Sequence, residues 1–263
     1  MSKQITVLIT GATGNVGSKL RNHLGDRYAL KLIDRDSCGD PDITEMDLSN
    51  WDDRIVQLFS DVDVVVHLAA DPYDTKSWEE LIPSNLDALA NVFIAATMAR
   101  VPRVIFASSN HVMGGYKNET GIGRWLTTKL AHKPGTHYES PVDNQCDSTP
   151  YGAMKLCGER LGRSYAQSTN AVCIAIRLGW VNRIGENQLQ DLPSDADIWF
   201  KRMWLSTRDL GQLMEQAIKV SKPSKSFLVL NGMSDNENMV WDIEATKVEL
   251  GYQPKDGFGL LSR

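Results

Sequence analysis

The stretch that decides the fold lies near the start of the chain and reads Ile5-Thr-Val-Leu-Ile-Thr10-Gly11-Ala-Thr-Gly14-Asn-Val-Gly17. Its first six residues have the length and the β-branched content of a buried strand. Leu20 and Leu24 follow at helical spacing, which predicts a helix over Asn15–Leu24. A strand, a glycine turn and a helix in this order are typical of the first unit of a doubly wound sheet.

The same alternation continues as far as residue 178. The predicted strands are Ile5–Thr10, Tyr28–Asp34, Ile43–Asp47, Val62–Leu68, Arg103–Ser108 and Val172–Leu178. The predicted helices are Asn15–Leu24, Trp51–Phe59, Trp78–Arg100 and Tyr151–Gln167. Strands that alternate with helices form a parallel sheet covered on both faces. We therefore predict a Rossmann-type doubly wound α/β fold, with ligand sites at the carboxyl ends of the strands.

The domain organisation follows from where this alternation stops. We predict a nucleotide-binding domain over residues 1–178 and a small substrate-binding subdomain over 179–263 that contributes partly to the sheet. In the second part we expect a helix at Thr207–Val220, a strand at Phe227–Leu230 and a helix at Ile243–Leu250. Residues 114–150 lack periodicity and are predicted as one long loop, and loops of that length are usually functional or mobile.

Composition excludes several classes of protein. With 263 residues, 42% hydrophobic and 23% charged, the chain is neither disordered nor fibrous. A net charge of −5 gives no attraction to nucleic acid or to anionic lipid. No apolar run approaches the length of a membrane span, and no signal peptide is recognised, so we expect a cytoplasmic protein. The 4 cysteines have no metal-site or disulfide spacing, and we predict no bound metal.

The glycine turn has the spacing of a dinucleotide-binding motif. Gly11 permits the tight turn, Gly14 lets the backbone approach a pyrophosphate, and Gly17 lets the helix pack closely on the strand. The free N–H groups at the helix start, which include those of Asn15 and Val16, are suited to bind the anion. The alternative is an ordinary glycine-rich turn, which the strand and helix on either side disfavour.

The second predicted strand ends in Asp34, about 20 residues beyond the glycine motif. A carboxylate at this point accepts hydrogen bonds from the adenosine ribose hydroxyls and repels a 2′-phosphate, which favours NAD over NADP. Arg35 follows directly and offers a partner to a 2′-phosphate, so NADP remains the alternative.

Two further strand ends are placed to line the cofactor. Asp47 and Leu48 follow the third predicted strand, and Leu68, Ala69 and Ala70 follow the fourth. The small side chains of the two alanines leave room for a cofactor that lies on the backbone. The alternative is that these residues are simple strand ends.

Tyr151 and Lys155 form a YxxxK pair, and their spacing places both side chains on one face of a helix. A phenol with an ordinary pKa near 10 is a poor base at neutral pH, whereas a neighbouring ammonium favours the phenolate. We therefore predict that Lys155 lowers the pKa of Tyr151, which acts as a general base, and that Lys155 also holds the cofactor ribose. The alternative is an ordinary tyrosine and lysine on a partly exposed helix.

Polar side chains also follow the fifth predicted strand. Ser109 is placed to hydrogen-bond the substrate oxygen whose proton Tyr151 takes. We expect the hydroxyl of Ser108 to form a hydrogen bond with the backbone at the strand end. Asn110 and His111 are candidates to orient a polar substrate, although a histidine at a strand end is more often structural. Asn85 is a weaker candidate for the cofactor region.

Taken together, these motifs resemble the extended short-chain dehydrogenases/reductases, or NAD-dependent epimerases/dehydratases. The matching residues, over about 150 positions, are Gly11-Ala-Thr-Gly14-Asn-Val-Gly17, Asp34, Asp47-Leu48, His67-Leu-Ala-Ala70, Asn85, Ser108-Ser109 and Tyr151-Gly-Ala-Met-Lys155. Within that superfamily, the segment Phe106-Ala-Ser-Ser-Asn-His111 is similar to the uronate dehydrogenases.

The resemblance implies a catalytic set of Ser109, Tyr151 and Lys155, with NAD⁺ taking a hydride from the anomeric carbon of a hexuronic acid and a lactone as product. It also implies that Ser109, Asn110 and His111 contact the sugar.

Two features depart from the uronate dehydrogenase pattern, namely the residue at position 180 and the loop over Gly114–Pro150, which is longer than in that family. Trp180 stands where that family has a serine near the substrate, so we expect the indole to line the pocket. Arg202 and Arg183 are the candidates to bind a substrate carboxylate.

Other functions stay open at this point. A nucleotide-sugar epimerase or a dehydratase would use the same tyrosine and lysine, but an epimerase needs a larger C-terminal lobe and a dehydratase would be expected to carry a Thr-Asp-Glu run at Ser108-Ser109-Asn110. A non-catalytic NAD(P)-sensing regulator would not need the Tyr151/Lys155 pair. We expect a small sugar or sugar-acid substrate, no nucleic-acid or membrane partner, and a homodimer formed through the helices at Trp78–Arg100 and Tyr151–Gln167.

Overall fold

The computed structural model describes residues 4–117, 119, 126–139, 145–221 and 223–259. Its centre is a seven-stranded parallel sheet with the order β3-β2-β1-β4-β5-β8-β9. The strands of this sheet are β1 (Thr6–Thr10), β2 (Ala29–Asp34), β3 (Ile43–Glu45), β4 (Val64–His67), β5 (Arg103–Ser109), β8 (Val172–Leu178) and β9 (Phe227–Gly232). A separate antiparallel pair consists of β6 (His137–Tyr138) and β7 (Cys146–Asp147). The predicted doubly wound fold is confirmed.

Helices cover both faces of the sheet. They are α1 (Asn15–Leu24), α2 (Arg54–Leu58), α3 (Trp78–Ile82), α4 (Ala88–Met98), α5 (Thr149–Ser168), α6 (Ile198–Arg202), α7 (Thr207–Lys219) and α8 (Glu244–Leu250). One core cluster packs α1 and α7 against one face, and a second packs α4 and α5 against the other. The apolar runs of β1, β4, β5 and β8 are buried on both sides, as central strands of a parallel sheet require.

The long helix predicted over Trp78–Arg100 is interrupted. A π-helical turn at Pro83–Asp87 separates α3 from α4. Proline has no backbone N–H and its ring crowds the preceding turn, so the regular hydrogen-bond pattern does not continue through Pro83. Periodicity alone gave no sign of this interruption.

The same segment bears on the expectation that no stretch reaches the length of a membrane span. Among the described residues, Trp78–Met98 is long and apolar enough by length and composition. Its Leu89, Val92 and Phe93 belong to the core between the helices and the sheet. One side of the segment is therefore used in packing against the core, while Ile94 and Met98 are exposed.

The region after residue 178 adds to the central sheet. Strand β9 pairs in parallel with β8, from Cys173 with Phe227 to Leu178 with Gly232. The sheet thus extends across residue 178 and does not mark a boundary there. The division into two domains at this residue stays a prediction.

The predicted loop 114–150 is partly structured. Its described portion contains the β6–β7 pair, and Leu126 forms a bridge with Trp241. Residues 118, 120–125 and 140–144 lie outside the described residues.

We predict that Gly17→Ala destabilises the fold. A Cβ at this position would lie 2.0 Å from the Gly11 carbonyl oxygen and 2.9 Å from Ala12 Cα, so the backbone of the turn would have to move. Overpacking of this kind costs about 1–3 kcal/mol, which lowers Tm by roughly 3–10 °C in a chain of this size. Thermal unfolding measures the effect, with Asn22→Ala on the exposed side of α1 as the control. A Tm within 1 °C of the parent, roughly the effect of a neutral surface substitution, would contradict the close packing.

Candidate active site

A cavity of about 1090 Å³ opens at the carboxyl edge of the sheet. It is lined by residues that follow β1, β2, β4, β5 and β8, and by the start of α5. Strand order reverses between β1 and β4, where a parallel sheet leaves a crevice for a ligand. The cavity therefore lies where the fold predicts a binding site.

The glycine turn forms one wall of this cavity in direct contact with the end of β4. Gly11 has a positive φ of 73°, and a Cβ there would lie 2.7 Å from the Ala69 backbone nitrogen. Asn15 Nδ2 donates a hydrogen bond to the Val181 carbonyl oxygen at 3.0 Å, which links the helix start to the segment after β8. The turn can thus pack against the end of β4 only because Gly11 has no side chain.

Asp34 lies at the end of β2 and lines the cavity together with Arg35. Its Oδ2 atom accepts hydrogen bonds from the backbone nitrogen and the hydroxyl of Thr13 at 2.9 and 2.7 Å. Its Oδ1 atom accepts one from the Arg35 backbone nitrogen at 2.7 Å. These bonds fix the orientation of the carboxylate, and each oxygen keeps further capacity to accept.

The structure brings together most of the residues proposed for the cofactor. The lining includes Gly11, Gly14, Asn15, Val16, Gly17, Asp34, Arg35, Asp47, Leu48, Leu68, Ala69, Ala70, Tyr151 and Lys155. Asn85 is not among the lining residues. Its amide is occupied by the backbone of Asp71, with Oδ1 accepting at 2.7 Å and Nδ2 donating at 3.1 Å. Asn85 therefore shapes the loop after β4.

The YxxxK pair sits on the first two turns of α5, under the end of β5. Lys155 is 6% exposed, and its Nζ donates to the Ala107 carbonyl oxygen at 3.0 Å. The same Nζ lies 5.5 Å from the centroid of the Tyr151 ring. The buried Lys155 and the partly buried Tyr151 thus lie together at the cavity wall.

The electrostatics of this pair differ from the expectation drawn from its spacing. Burial raises the pKa of Tyr151 above its ordinary value of 10.0, and the negative charge of Asp74 raises it further. A hydrogen bond with Ser109 and the charge of Arg183 act in the opposite direction. Burial also lowers the pKa of Lys155 to about 8. The expectation that Lys155 brings the phenol pKa down is thus wrong for the protein alone, because desolvation is the larger effect.

Ser109, Asn110 and His111 all line the cavity and are nearly buried. Asn110 Nδ2 donates to the Leu178 carbonyl oxygen at 3.1 Å, while Asn110 Oδ1 is buried without a hydrogen-bond partner among the described residues. The His111 ring packs edge-on against Tyr151, with the centroids 5.6 Å apart. Polar groups therefore surround the phenol.

His111 is held by groups from two other parts of the chain. Its Nδ1 lies 2.8 Å from Thr136 Oγ1 and 2.7 Å from Ser148 Oγ. Its Nε2 lies 3.4 Å from Asp74 Oδ2, and burial lowers the pKa of the imidazole. The His111 ring is therefore neutral and held in one orientation, and it forms a polar part of the cavity wall.

Sequence reasoning missed Asp74, Tyr138 and Phe200. The Tyr138 hydroxyl donates to Asp74 Oδ2 at 3.0 Å, and its ring lies 5.0 Å from that of Phe200. All three side chains line the cavity, and they come from three separate segments of the chain. A single acidic residue, one tyrosine in a long loop and an apolar position in a short helix carry no local motif.

The residues proposed for the sugar divide into two groups. Trp180 and Arg183 line the cavity, together with Ser109, Asn110 and His111. Arg202 is not among the lining residues, although its helix α6 contributes Phe200. The structure thus places Arg183, and not Arg202, at the cavity.

Beneath the site, a buried network joins the elements that carry it. Glu159 on α5 accepts hydrogen bonds from Arg177 Nε at 2.7 Å, from Arg177 Nη2 at 2.8 Å and from Ser108 Oγ at 2.7 Å. Arg177 on β8 is 1% exposed and Glu159 is 3% exposed. This network holds α5 against the ends of β5 and β8.

Comparison with known proteins agrees with this geometry. The model of the NAD dependent epimerase/dehydratase family matches residues 7–198. An NAD-dependent glucose-6-phosphate dehydrogenase of Haloferax volcanii is 31% identical over 261 residues, covering 95% of this chain and 93% of that protein. A uronate dehydrogenase of Pseudomonas syringae is 30% identical over 256 residues, covering 95% of this chain and 82% of that protein.

A solved structure is similar as well. The glucuronic acid dehydrogenase of Chromohalobacter salexigens superimposes with a TM-score of 0.78 at 27% identity, covering 98% of this chain and 86% of that chain. The fold and the site define a dinucleotide-binding oxidoreductase. The chain belongs to the NAD dependent epimerase/dehydratase family, which confirms the resemblance and the prediction of an enzyme of the NAD-dependent dehydrogenase class.

We predict that Glu159→Gln lowers the free energy of unfolding by about 3–5 kcal/mol, because it leaves the Arg177 guanidinium buried without its counter-charge. Ser108→Ala removes a hydrogen bond to the same carboxylate but keeps the ion pair, and should cost about 1 kcal/mol. Urea denaturation of the two variants measures the difference. Equal losses would show that the charge pairing has no special role.

Proposed function

We propose that the protein is an NAD-dependent sugar dehydrogenase that oxidises the anomeric carbon of an aldose or sugar acid to a lactone, with Tyr151 as the general base. The observation that carries the proposal is the placement of Ser109, Tyr151 and Lys155 in the same cavity as the glycine turn. The relatives named as dehydrogenases of glucose 6-phosphate and of uronate support oxidation of a sugar. Hexuronates belong to this substrate class. Trp180 lines the pocket with an indole where the uronate dehydrogenases have a serine, so the pocket differs in shape from theirs.

The cavity fits NAD. The glycine turn lies so close to Ala69 that a Cβ at Gly11 would collide with backbone, and the start of α1 at Asn15 and Val16 lines the cavity where a pyrophosphate would bind. Asp34 presents a fixed carboxylate for the ribose hydroxyls, and this favours NAD over NADP. Arg35 lies beside it and lines the same cavity. NAD is thus the cofactor, and when bound it supplies the hydride acceptor.

On the protein side, the chemistry is the handling of one proton. Tyr151 Oη takes the proton of the anomeric hydroxyl while the C1 hydrogen departs as hydride, so that C1 becomes the carbonyl carbon of the lactone. Ser109 hydrogen-bonds the same substrate oxygen and also Tyr151, which aligns the two. The Lys155 ammonium, 5.5 Å from the ring, stabilises the phenolate form of Tyr151, which accepts this proton and becomes a neutral phenol.

The deciding experiment supplies NAD⁺ with a panel of neutral aldoses, sugar phosphates and uronic acids and follows NADH absorbance. We expect NADH to accumulate in stoichiometric amounts with the sugar lactone. An epimerase would change the sugar without net NADH, and a sensing regulator would bind NAD without turnover of any sugar. Either result would refute the proposed dehydrogenase activity.

The homodimer and the cytoplasmic location predicted from the sequence remain proposals. Ile94 and Met98 of α4 are 47% and 58% exposed, which is consistent with a helix face that a second copy covers. Analytical ultracentrifugation measures the oligomeric state, and a monomer at all concentrations would remove this proposal.

Tyr151→Phe tests the general base. The ring is retained and only the hydroxyl is lost, so we expect kcat to fall by roughly 10²-fold or more while the affinity for NAD stays nearly unchanged. Steady-state kinetics together with NAD titration separates the two effects. Unchanged turnover would refute the role of Tyr151.

Asp74→Asn tests the charge that faces the phenol. Because the Asp74 carboxylate raises the pKa of Tyr151, its removal should lower that pKa. Oxidation requires the phenolate, so the rise of kcat/KM with pH should move to lower pH by roughly 0.5–1 unit. Asp26→Asn, at an exposed position, is the control. A profile that stays in place, or that moves to higher pH, would contradict the assigned roles.

A further inference from the structure

The part of the cavity around Tyr151, called here the sugar end, has an uneven distribution of charge. Acidic side chains dominate its lining, namely Asp71, Asp74, Glu139, Asp195 and Asp197. Two of these have cationic partners, since Lys76 pairs with Asp71 at 2.8 Å and Lys117 pairs with Asp197. An anionic group placed deep in this end would meet carboxylates.

Arg183 is the exception at this end. It follows β8, lines the cavity and is exposed. Its guanidinium lies over the Tyr73 ring, 5.0 Å from the centroid. Among the described residues, no carboxylate pairs with it and no acceptor takes a hydrogen bond from it. Lys76 and Lys155, the other cations at the sugar end, are bonded to Asp71 and to the Ala107 carbonyl oxygen.

The contact with Tyr73 orients this free guanidinium. A guanidinium stacked on an aromatic face keeps its five N–H donors at its edge, where they match the oxygens of a phosphate or a carboxylate. Tyr73 is 57% exposed, so the pair lies at the mouth of the cavity. The Tyr151 ring is partly buried and lies beside the buried Lys155.

This separation defines the shape of the ligand. A substrate that places its anomeric carbon at Tyr151 extends its far end towards Arg183. A phosphate ester reaches one linkage further from the sugar ring than a carboxylate attached directly to it, and so is better suited to reach a cation at the mouth. The neutral, hydroxyl-rich ring then lies among the acidic residues, where carboxylates accept hydrogen bonds from hydroxyls.

We propose that Arg183 binds the phosphate group of the substrate, so that the protein oxidises an aldose phosphorylated at the end opposite to its anomeric carbon. This inference rests on the proposed function and names the substrate class for the same site. Arg183 is a specificity-determining residue: it contacts the phosphate and takes no part in the transfer of the proton or the hydride.

The test compares glucose, glucose 6-phosphate and glucuronate as substrates for the parent protein and for Arg183→Gln and Arg183→Lys. We expect the parent to prefer glucose 6-phosphate in kcat/KM. Arg183→Gln should raise KM for glucose 6-phosphate by roughly 10- to 100-fold, the loss typical of charge-assisted hydrogen bonds, with kcat changed by less than about 3-fold. Its kcat/KM for glucose should change little at a pH on the plateau of the pH profile, while the rise of that profile moves to higher pH because the charge of Arg183 lowers the pKa of Tyr151. Arg183→Lys keeps the charge without the planar fork and should fall between the two.

Controls separate this proposal from its alternatives. Arg54→Gln changes an exposed arginine outside the cavity and should leave the preference intact. A rise in KM for NAD in Arg183→Gln would assign the guanidinium to the cofactor and overturn the proposal. So would a parent that oxidises glucose or glucuronate in preference to glucose 6-phosphate, or a preference that survives the substitution. No NADH with any of the three sugars, or with the wider panel, would instead overturn the dehydrogenase itself.

Discussion

The buried ion pair between Glu159 and Arg177 is the interaction on which the site depends. Two charges inside a protein must stay paired, because an unpaired charge in that setting is strongly unfavourable. Glu159 lies one turn beyond Lys155 on α5, and Arg177 lies near the end of β8. Ser108 on β5 donates a hydrogen bond to the same carboxylate, so Glu159 connects α5, β5 and β8. These contacts fix the relative positions of the neighbouring side chains that line the cavity.

Burial then decides the chemistry of the groups so aligned. Tyr151 and Lys155 each lose hydration, so the neutral form of each gains relative to the charged form. Asp74 opposes ionisation of the phenol, and Arg183 favours it. The charges at the sugar end therefore act on the phenol that we propose as the base, and they are the charges that the proposed substrate would meet.

Much of this arrangement was predictable from the sequence because its signals are local. The strand, glycine turn and helix of residues 5–24 form one continuous unit, and a YxxxK spacing places two side chains on one helix face whatever surrounds it. The parallel sheet then brings the strand ends to one edge. The interruption at Pro83 and the structural use of Asn85 depend on contacts that periodicity does not encode.

The rest of the site is made by long-range contacts. Asp74 and Tyr138 are 64 positions apart and meet only through the fold. The pKa of Tyr151 was expected to fall because only its neighbour Lys155 was visible in the sequence, whereas burial and Asp74 act more strongly. Arg183 and Arg202 were equal candidates by residue type, and the structure places Arg183 alone of the two at the cavity.

In the proposed reaction, a hydride leaves the anomeric carbon while Tyr151 takes the hydroxyl proton. Reaction of a sugar deuterated at C1 with NAD⁺, analysed by mass spectrometry of both products, tests this claim most directly. We expect the deuterium in NADH, an unlabelled lactone, and slower turnover than with the protiated sugar. Deuterium that remains on the sugar, with inversion at another carbon or with no net NADH, would contradict it.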